Sequence, residues 1–161
     1  MKWTVQQLRK IQNFPYKFST TLDFSEYIKM VDDILDIKEV IVTGTINRIN
    51  DETYNLCYHI VAPLVLQCAL TLDPVEYVIE NDYNETYSLE KNDEYFLIEK
   101  NTINMEEIVW SNILIEKPIN VTLPNAYEIL KSRGIVLDDT TNLDEDEEVL
   151  FYSNGLEEEN N

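Results

Sequence analysis

Cys57, His59 and Cys68 are the residues whose chemistry could make this chain an enzyme or a metal protein. They are its two cysteines and its one histidine, set in the run "NLCYHIVAPLVLQCALTL". A catalytic thiolate needs a base within reach and donors for the oxyanion that it generates. His59 stands two residues from Cys57, so on a strand the two share a face, but any strand gives that spacing. The segment also lacks a glycine-rich turn to build an oxyanion hole. Structural zinc needs four soft ligands, usually as Cys-x-x-Cys pairs. On one extended strand Cys57 and Cys68 would lie about 35 Å apart, and with His59 they make too few. Cys68 is therefore expected to fill the core as a small hydrophobe.

The other routes to chemistry are also poorly supplied. The 31 acidic residues offer many pairs. None sits in a recognisable arrangement with a base or a metal partner, and the densest run, Asp144 to Glu148, is near the C-terminus. Three glycines, Gly44, Gly134 and Gly155, cannot build a phosphate-cradling loop. Interleaved aromatics and cations of the kind that stack RNA bases are missing. No catalytic, cofactor-binding or metal-ligating residue is expected, and no cofactor.

Alternation and turn residues show which elements must carry these side chains. "MKWTVQQLRKIQ" reads as a short strand or turn leading into a helix, through Trp3 and Val5 and then Leu8 and Ile11. "YKFSTTLDF" alternates after Pro15 and predicts a strand. "DFSEYIKMVDDILDI" gives the clearest helical spacing, with Phe24, Tyr27, Ile28, Val31, Ile34 and Leu35 on one face and Asp23 as the cap. Residues 39–89 are rich in Val, Ile, Thr and Tyr, and breaks at Asn50-Asp51, Asp73-Pro74 and Asn81-Asp82 divide them. Three antiparallel strands near 39–49, 53–71 and 75–89 follow, the second bent or bulged at Pro63. "DEYFLIEK" adds a short strand. Residues 101–118 form a helix capped by Asn104, with Met105, Ile108, Val109 and Ile113 as its apolar stripe and Pro118 at its end. "INVTL" resumes as a strand, and "PNAYEILKSRG" gives one or two helical turns closed by Gly134.

Charge is the strongest compositional signal. The net charge is −19, and it is unevenly spread. Residues 1–22 carry Lys2, Arg9, Lys10 and Lys17 and no acid, whereas residues 134–161 carry ten acids and no base. So acidic a chain is repelled by phosphate at long range, which excludes binding nucleic acid over a whole face. Only the N-terminal cations could touch it locally. An acidic body suits a basic protein partner, although charge that simply keeps a surface soluble explains the same numbers. No stretch approaches the ~20 apolar residues of a membrane span, and the N-terminus has no signal-peptide core. Two cysteines give no disulfide framework. A cytoplasmic protein without a membrane partner is expected.

Four segments in register carry a family resemblance: "MKWTVQQLRK", "VIVTGTINRI", "LVLQCALTLDPVEYVIE" and "INMEEIVWSNILIEKPINV". Together they resemble the YceD family, the large ribosomal RNA subunit accumulation proteins, in its low-GC Gram-positive branch, over most of residues 1–123. The family hallmark is a Cys-x-Arg-Cys-Leu run, with Thr for the second Cys in many low-GC members. Here Cys68, Thr71 and Leu72 match that run and Leu70 stands in place of the arginine. Further cysteines that many members carry later have no counterpart in "TLPNAYEIL", so no zinc role carries over. The resemblance implies a non-enzymatic ribosome-biogenesis factor that supports large-subunit rRNA accumulation. Its partner would be a basic ribosomal protein or a precursor particle, with direct rRNA contact left open. The contact candidates are Lys2, Trp3, Arg9 and Lys10 with the motif residues Cys68, Thr71 and Leu72. Two other readings are an acidic nucleic-acid mimic that inhibits a binding protein, and a small carboxylate-dependent hydrolase or transferase.

The expected architecture is α+β: a bent antiparallel sheet, barrel-like if its edges meet, with two main helices packed on it. A single domain over 1–137 would be followed by an acidic, disordered tail over 138–161. Within that tail the apolar "VLFY", residues 149–152, could dock on the domain or on a partner, and the domain is the favoured site.

Overall fold

The computed structural model describes residues 1–134. The boundary expected at 137, the tail and its apolar patch lie outside the described residues. The chain divides into two compact units, residues 1–122 and 123–161.

The first unit is built on three consecutive antiparallel strands: β4 (Val40–Asn50), β5 (Thr53–Gln67) and β6 (Pro74–Ser88). These are the three strands that the alternation predicts. Strand β2 (Tyr16–Leu22) pairs with β4 on its outer side, from Tyr16↔Ile46 to Leu22↔Val40. Residues at even positions of β5, from Tyr54 through Leu66, are all buried, while the odd positions from Asn55 through Val65 are half-buried. One face of the sheet is therefore core and the other is open. Helix α2 (Met105–Glu116) belongs to the core side and buries Met105, Val109 and Ile113, one residue per turn. Asn104 caps it as expected, its side chain accepting from the Glu106 N–H at 3.1 Å.

The N-terminus closes this unit. Strand β1 (Lys2–Thr4) pairs antiparallel with β8 (Thr102–Asn104), outside the main sheet. Between them they bring Met1 to the start of α2, where its carbonyl accepts from the Met105 N–H. Trp3 is buried against the edges of Tyr16 and Phe18, at ring separations of 6.4 and 5.1 Å. Helix α1 (Val5–Lys10) follows at once, started by a capping box between Thr4 and Gln7.

Several expectations are corrected. Residues 23–37 do not form a helix. Asp23 accepts from the Ser25 N–H, a single 3-10 turn spans Tyr27–Met30, and β3 (Ile34–Ile37) pairs with the far end of β5. The reason lies in strand lengths. Pairing between β4 and β5 stops at Val61, so Leu64–Leu66 need another partner on that side, and β3 supplies it. Phe24 and Tyr27 instead pack on Trp110 of α2, with Phe24 stacked on it at 5.5 Å. The expected pair of main helices thus reduces to one, α2, beside the short α1.

The sheet is also neither wholly antiparallel nor a barrel. Strand β7 (Phe96–Leu97) joins β6 in parallel, and the order β2-β4-β5-β6-β7 leaves its two ends unjoined. Pro63 makes no bulge against β6, where it pairs in register with Val78. Its carbonyl accepts from the Lys38 N–H, so its nitrogen faces the junction between β3 and β4, where neither ladder is continuous. "INVTL" contributes one parallel bridge, Val121 to Cys68, instead of a strand. In the second unit, α3 (Ala126–Ser132) ends at Gly134, whose φ of 80° suits a residue without Cβ.

Gly44 lies opposite Tyr58 in the β4–β5 ladder. A Cβ there would stand 2.7 Å from Tyr58 Cβ and closer still to the Cys57 carbonyl oxygen. Gly44→Ala is therefore expected to cost about 2–3 kcal/mol through overpacking. Urea unfolding measures this, and an unchanged midpoint would show that the two strands do not approach so closely.

Candidate functional site

The contact candidates from the sequence fall into two separate groups. Arg9 Nε donates to the Asp51 carbonyl at 3.1 Å, in the turn between β4 and β5. This puts the α1 cations at the end of β5 opposite to Cys68, which follows Gln67. Lys2 and Lys10 are exposed and Trp3 is buried. Arg48 closes the end of α1 by donating to the carbonyls of Leu8, Arg9 and Ile11 at 2.9–3.1 Å, with its guanidinium 4.7 Å above the Phe14 ring.

The segment around Cys68, Thr71 and Leu72 forms the connection between β5 and β6. The Cys68 N–H donates to Asp73 O, the Leu72 N–H to Cys68 O and the Ala69 N–H to Val121 O. Cys68 is fully buried, and its sulfur accepts from the Thr71 N–H at 3.4 Å. Thr71 is buried too, its hydroxyl accepting from the Asp73 N–H. Leu72 is 63% exposed and takes a φ of 65°, an uncommon conformation for a branched side chain. These residues build a tight, internally bonded turn. Two residue types serve its shape: a small buried side chain at 68 and a buried hydroxyl at 71.

Residues that sequence reasoning did not bring together meet on the open face of the sheet. The β5–β6 register sets His59 opposite Asp82 and Val61 opposite Glu80. His59 Nδ1 lies 2.7 Å from Asp82 Oδ1, and Nε2 lies 3.0 Å from Glu80 Oε2. The Asp82 hydrogen bond, then the Glu80 one, pushes the imidazole pKa up from its ordinary value of 6.5. When His59 is protonated, both nitrogens donate and the imidazolium is held between two carboxylates. In that state the ring has no free lone pair with which to act as a base. The Cys57 thiol donates to Asn55 Oδ1 at 3.3 Å. Thr43, Cys57, His59, Asp82 and Asn84 line an open depression of about 390 Å³ around the pair. Among the described residues no three His, Cys, Asp or Glu side chains are grouped to hold a metal ion.

Beneath this face a polar network ties the sheet to α2. Tyr58 donates to Glu85 Oε1 at 2.6 Å, Tyr87 donates to the same oxygen at 2.9 Å, and Asn112 donates to the Tyr58 hydroxyl at 2.7 Å. Burial first, and the Glu85 carboxylate next, hold both phenols protonated well above their ordinary range. Both therefore remain donors, and the half-buried Glu85 keeps the partners that its charge requires. The arrangement sets charged groups on the open face of a sheet that is bonded to α2 from below.

The chain is similar to the uncharacterized protein YlbN of Bacillus subtilis (strain 168). The two are 29% identical over 133 residues, which span 80% of this chain and 77% of that protein. No family model matches the chain, and no solved structure does. Among the described residues no helix is long and apolar enough to cross a membrane.

The His59 arrangement has a measurable consequence. In an NMR titration His59 should titrate above 6.5. Asp82→Asn should lower its pKa more than Glu80→Gln does, following the order of the two hydrogen bonds. A folded-state pKa that is raised makes the interaction's stabilising contribution complete below pH 6.5 and lost as pH climbs through the folded value. A His59 pKa at or below the ordinary value would disprove the bridged geometry.

Proposed function

We propose that this chain is a non-enzymatic binding protein of the YceD type. In this reading it supports accumulation of large-subunit ribosomal RNA in the cytoplasm by holding a basic ribosomal protein or a precursor particle. The observation that carries the reading is the outer row of β6. Glu76, Glu80 and Asp82 stand exposed on one face at two- and four-residue spacing, and the exposed Val78 sits among them. A row of carboxylates beside apolar surface attracts a cationic protein segment at long range and gives it something to bury on contact. Phosphate backbones are repelled by the same row.

The family resemblance supports the ribosomal part of the reading, and the geometry of the motif turn agrees with a non-enzymatic role. Cys68 and Thr71 are buried in backbone-defining contacts, where neither can meet a substrate. Local contact with rRNA, if any, would fall to the exposed Lys2, Lys10 and Lys17 at the N-terminal end.

Tagged full-length protein passed through cell lysate is expected to recover ribosomal proteins or large-subunit precursors at low salt and to release most of them at high salt. Folded Cys68→Ala should recover the same set. Mass spectrometry that finds no ribosomal component at either salt would sink the reading. Loss of the set in folded Cys68→Ala would return the thiol to consideration as a reacting group.

A further inference from the structure

The long free edge of β6 combines with its acidic row. Strand β6 runs for 15 residues, and among the described residues the strand beyond it, β7, pairs only with Tyr87 and Ser88. Residues 74–86 therefore present a strand edge with no β neighbour on that side. The direction of their backbone groups follows from the register. The Pro63 carbonyl points to Lys38, away from β6, so the Pro63–Val78 pair is a non-hydrogen-bonded one. Alternation then turns the N–H and C=O groups of the even-numbered β6 residues away from β5. Two bonds agree: Ser88 O accepts from the Ile98 N–H on the β7 side, and Asp73 O accepts from the Cys68 N–H on the β5 side.

The same even-numbered residues carry the outer side chains. Glu76, Val78, Glu80, Asp82 and Asn84 are all exposed, and each offers both edge hydrogen bonds and an outer side chain. A strand laid along this edge would set its own outer residues directly opposite them. Cations would be favoured opposite Glu76, Glu80 and Asp82, and an apolar residue opposite Val78. Glu80 and Asp82 stay 58% and 88% exposed while they hold His59, so both remain reachable. A second copy on this edge would bring its own carboxylates alongside, and like charges across a ladder are destabilising.

We propose that the β6 edge is a β-augmentation site for an extended, alternately basic protein segment of the pattern cation-x-cation-x-apolar-x-cation. The proposal rests on the reading of the chain as a holder of basic proteins, and it names the surface and the shape of the partner.

The test uses the full chain and a synthetic peptide, Lys-x-Lys-x-Val-x-Lys with polar residues at x and blocked ends. NMR should show the largest amide shifts, and new protection from exchange, at Val78, Glu80 and Asp82. Methylating the alternate peptide nitrogens that would face β6 preserves charge but removes the ladder, and should weaken binding tenfold or more. Val78→Pro should do the same while leaving the β5–β6 bonds intact, because the N–H it removes faces the edge. If that variant unfolds, the methylated peptide decides alone. Absence of binding, or binding indifferent to methylation, overturns the proposal, as does a dimer in sedimentation that Val78→Pro dissolves. Ribosomal partners recovered from lysate with no peptide binding would sink this edge and leave the function standing. Peptide binding without such partners would do the reverse.

Discussion

The two-residue period of β5 is the constraint on which the rest of the molecule depends. This strand is bonded along both sides, by β4 and β3 on one and by β6 on the other. Each of its residues is therefore committed to one face. A slip of one residue would turn Leu56, Tyr58 and Ile60 outward and bring Cys57, His59 and Val61 into the core. The buried set is large and contiguous, so the register is strongly specified. Everything on the open face inherits its position from residues that it never touches.

The two titratable groupings on β6 show how differently one strand can use its carboxylates. Glu85 points inward and is reconciled with burial by two phenols. Asp82 and Glu80 point outward and take opposite sides of one imidazole. The inner grouping fixes α2 to the sheet through Asn112, while the outer one leaves charge facing solvent. A strand that is polar on both faces stays in place because its aromatic neighbours also pack. Tyr83 stacks on Tyr58 at 5.1 Å, and Tyr87 on Phe96 at the same distance.

Local signals in the sequence were enough for the three central strands, the N-terminal strand and helix, and α2 with its cap. Each rests on alternation, turn residues or capping that a window of a dozen residues contains. Residues 23–37 show where such a window fails. The spacing of Phe24, Tyr27, Ile28, Val31, Ile34 and Leu35 is helical, but the pull of unsatisfied backbone at Leu64–Leu66 comes from thirty residues further on. The parallel β7 and the open sheet edge were illegible for the same reason, being set by partners distant in the chain. The His59 cluster occupied a middle ground. A hairpin turning through 68–73 pairs 67 with 74, and counting back eight residues sets 59 against 82. The signal was present once the turn was fixed to the residue, and Asp73-Pro74 alone did not fix it.

The small β1–β8 sheet bears on how the chain can be made. Trp3 pairs with Ile103 across a hundred residues, and Met1 caps the helix that follows. Residues 2–4 therefore have no strand partner until residues 102–104 have been made. The β4–β5 and β5–β6 pairings close shorter loops, so the β1–β8 contact carries the larger loop-closure cost. A probe at Trp3 therefore reports on a contact closed over residues 3–103 and not on a local hairpin.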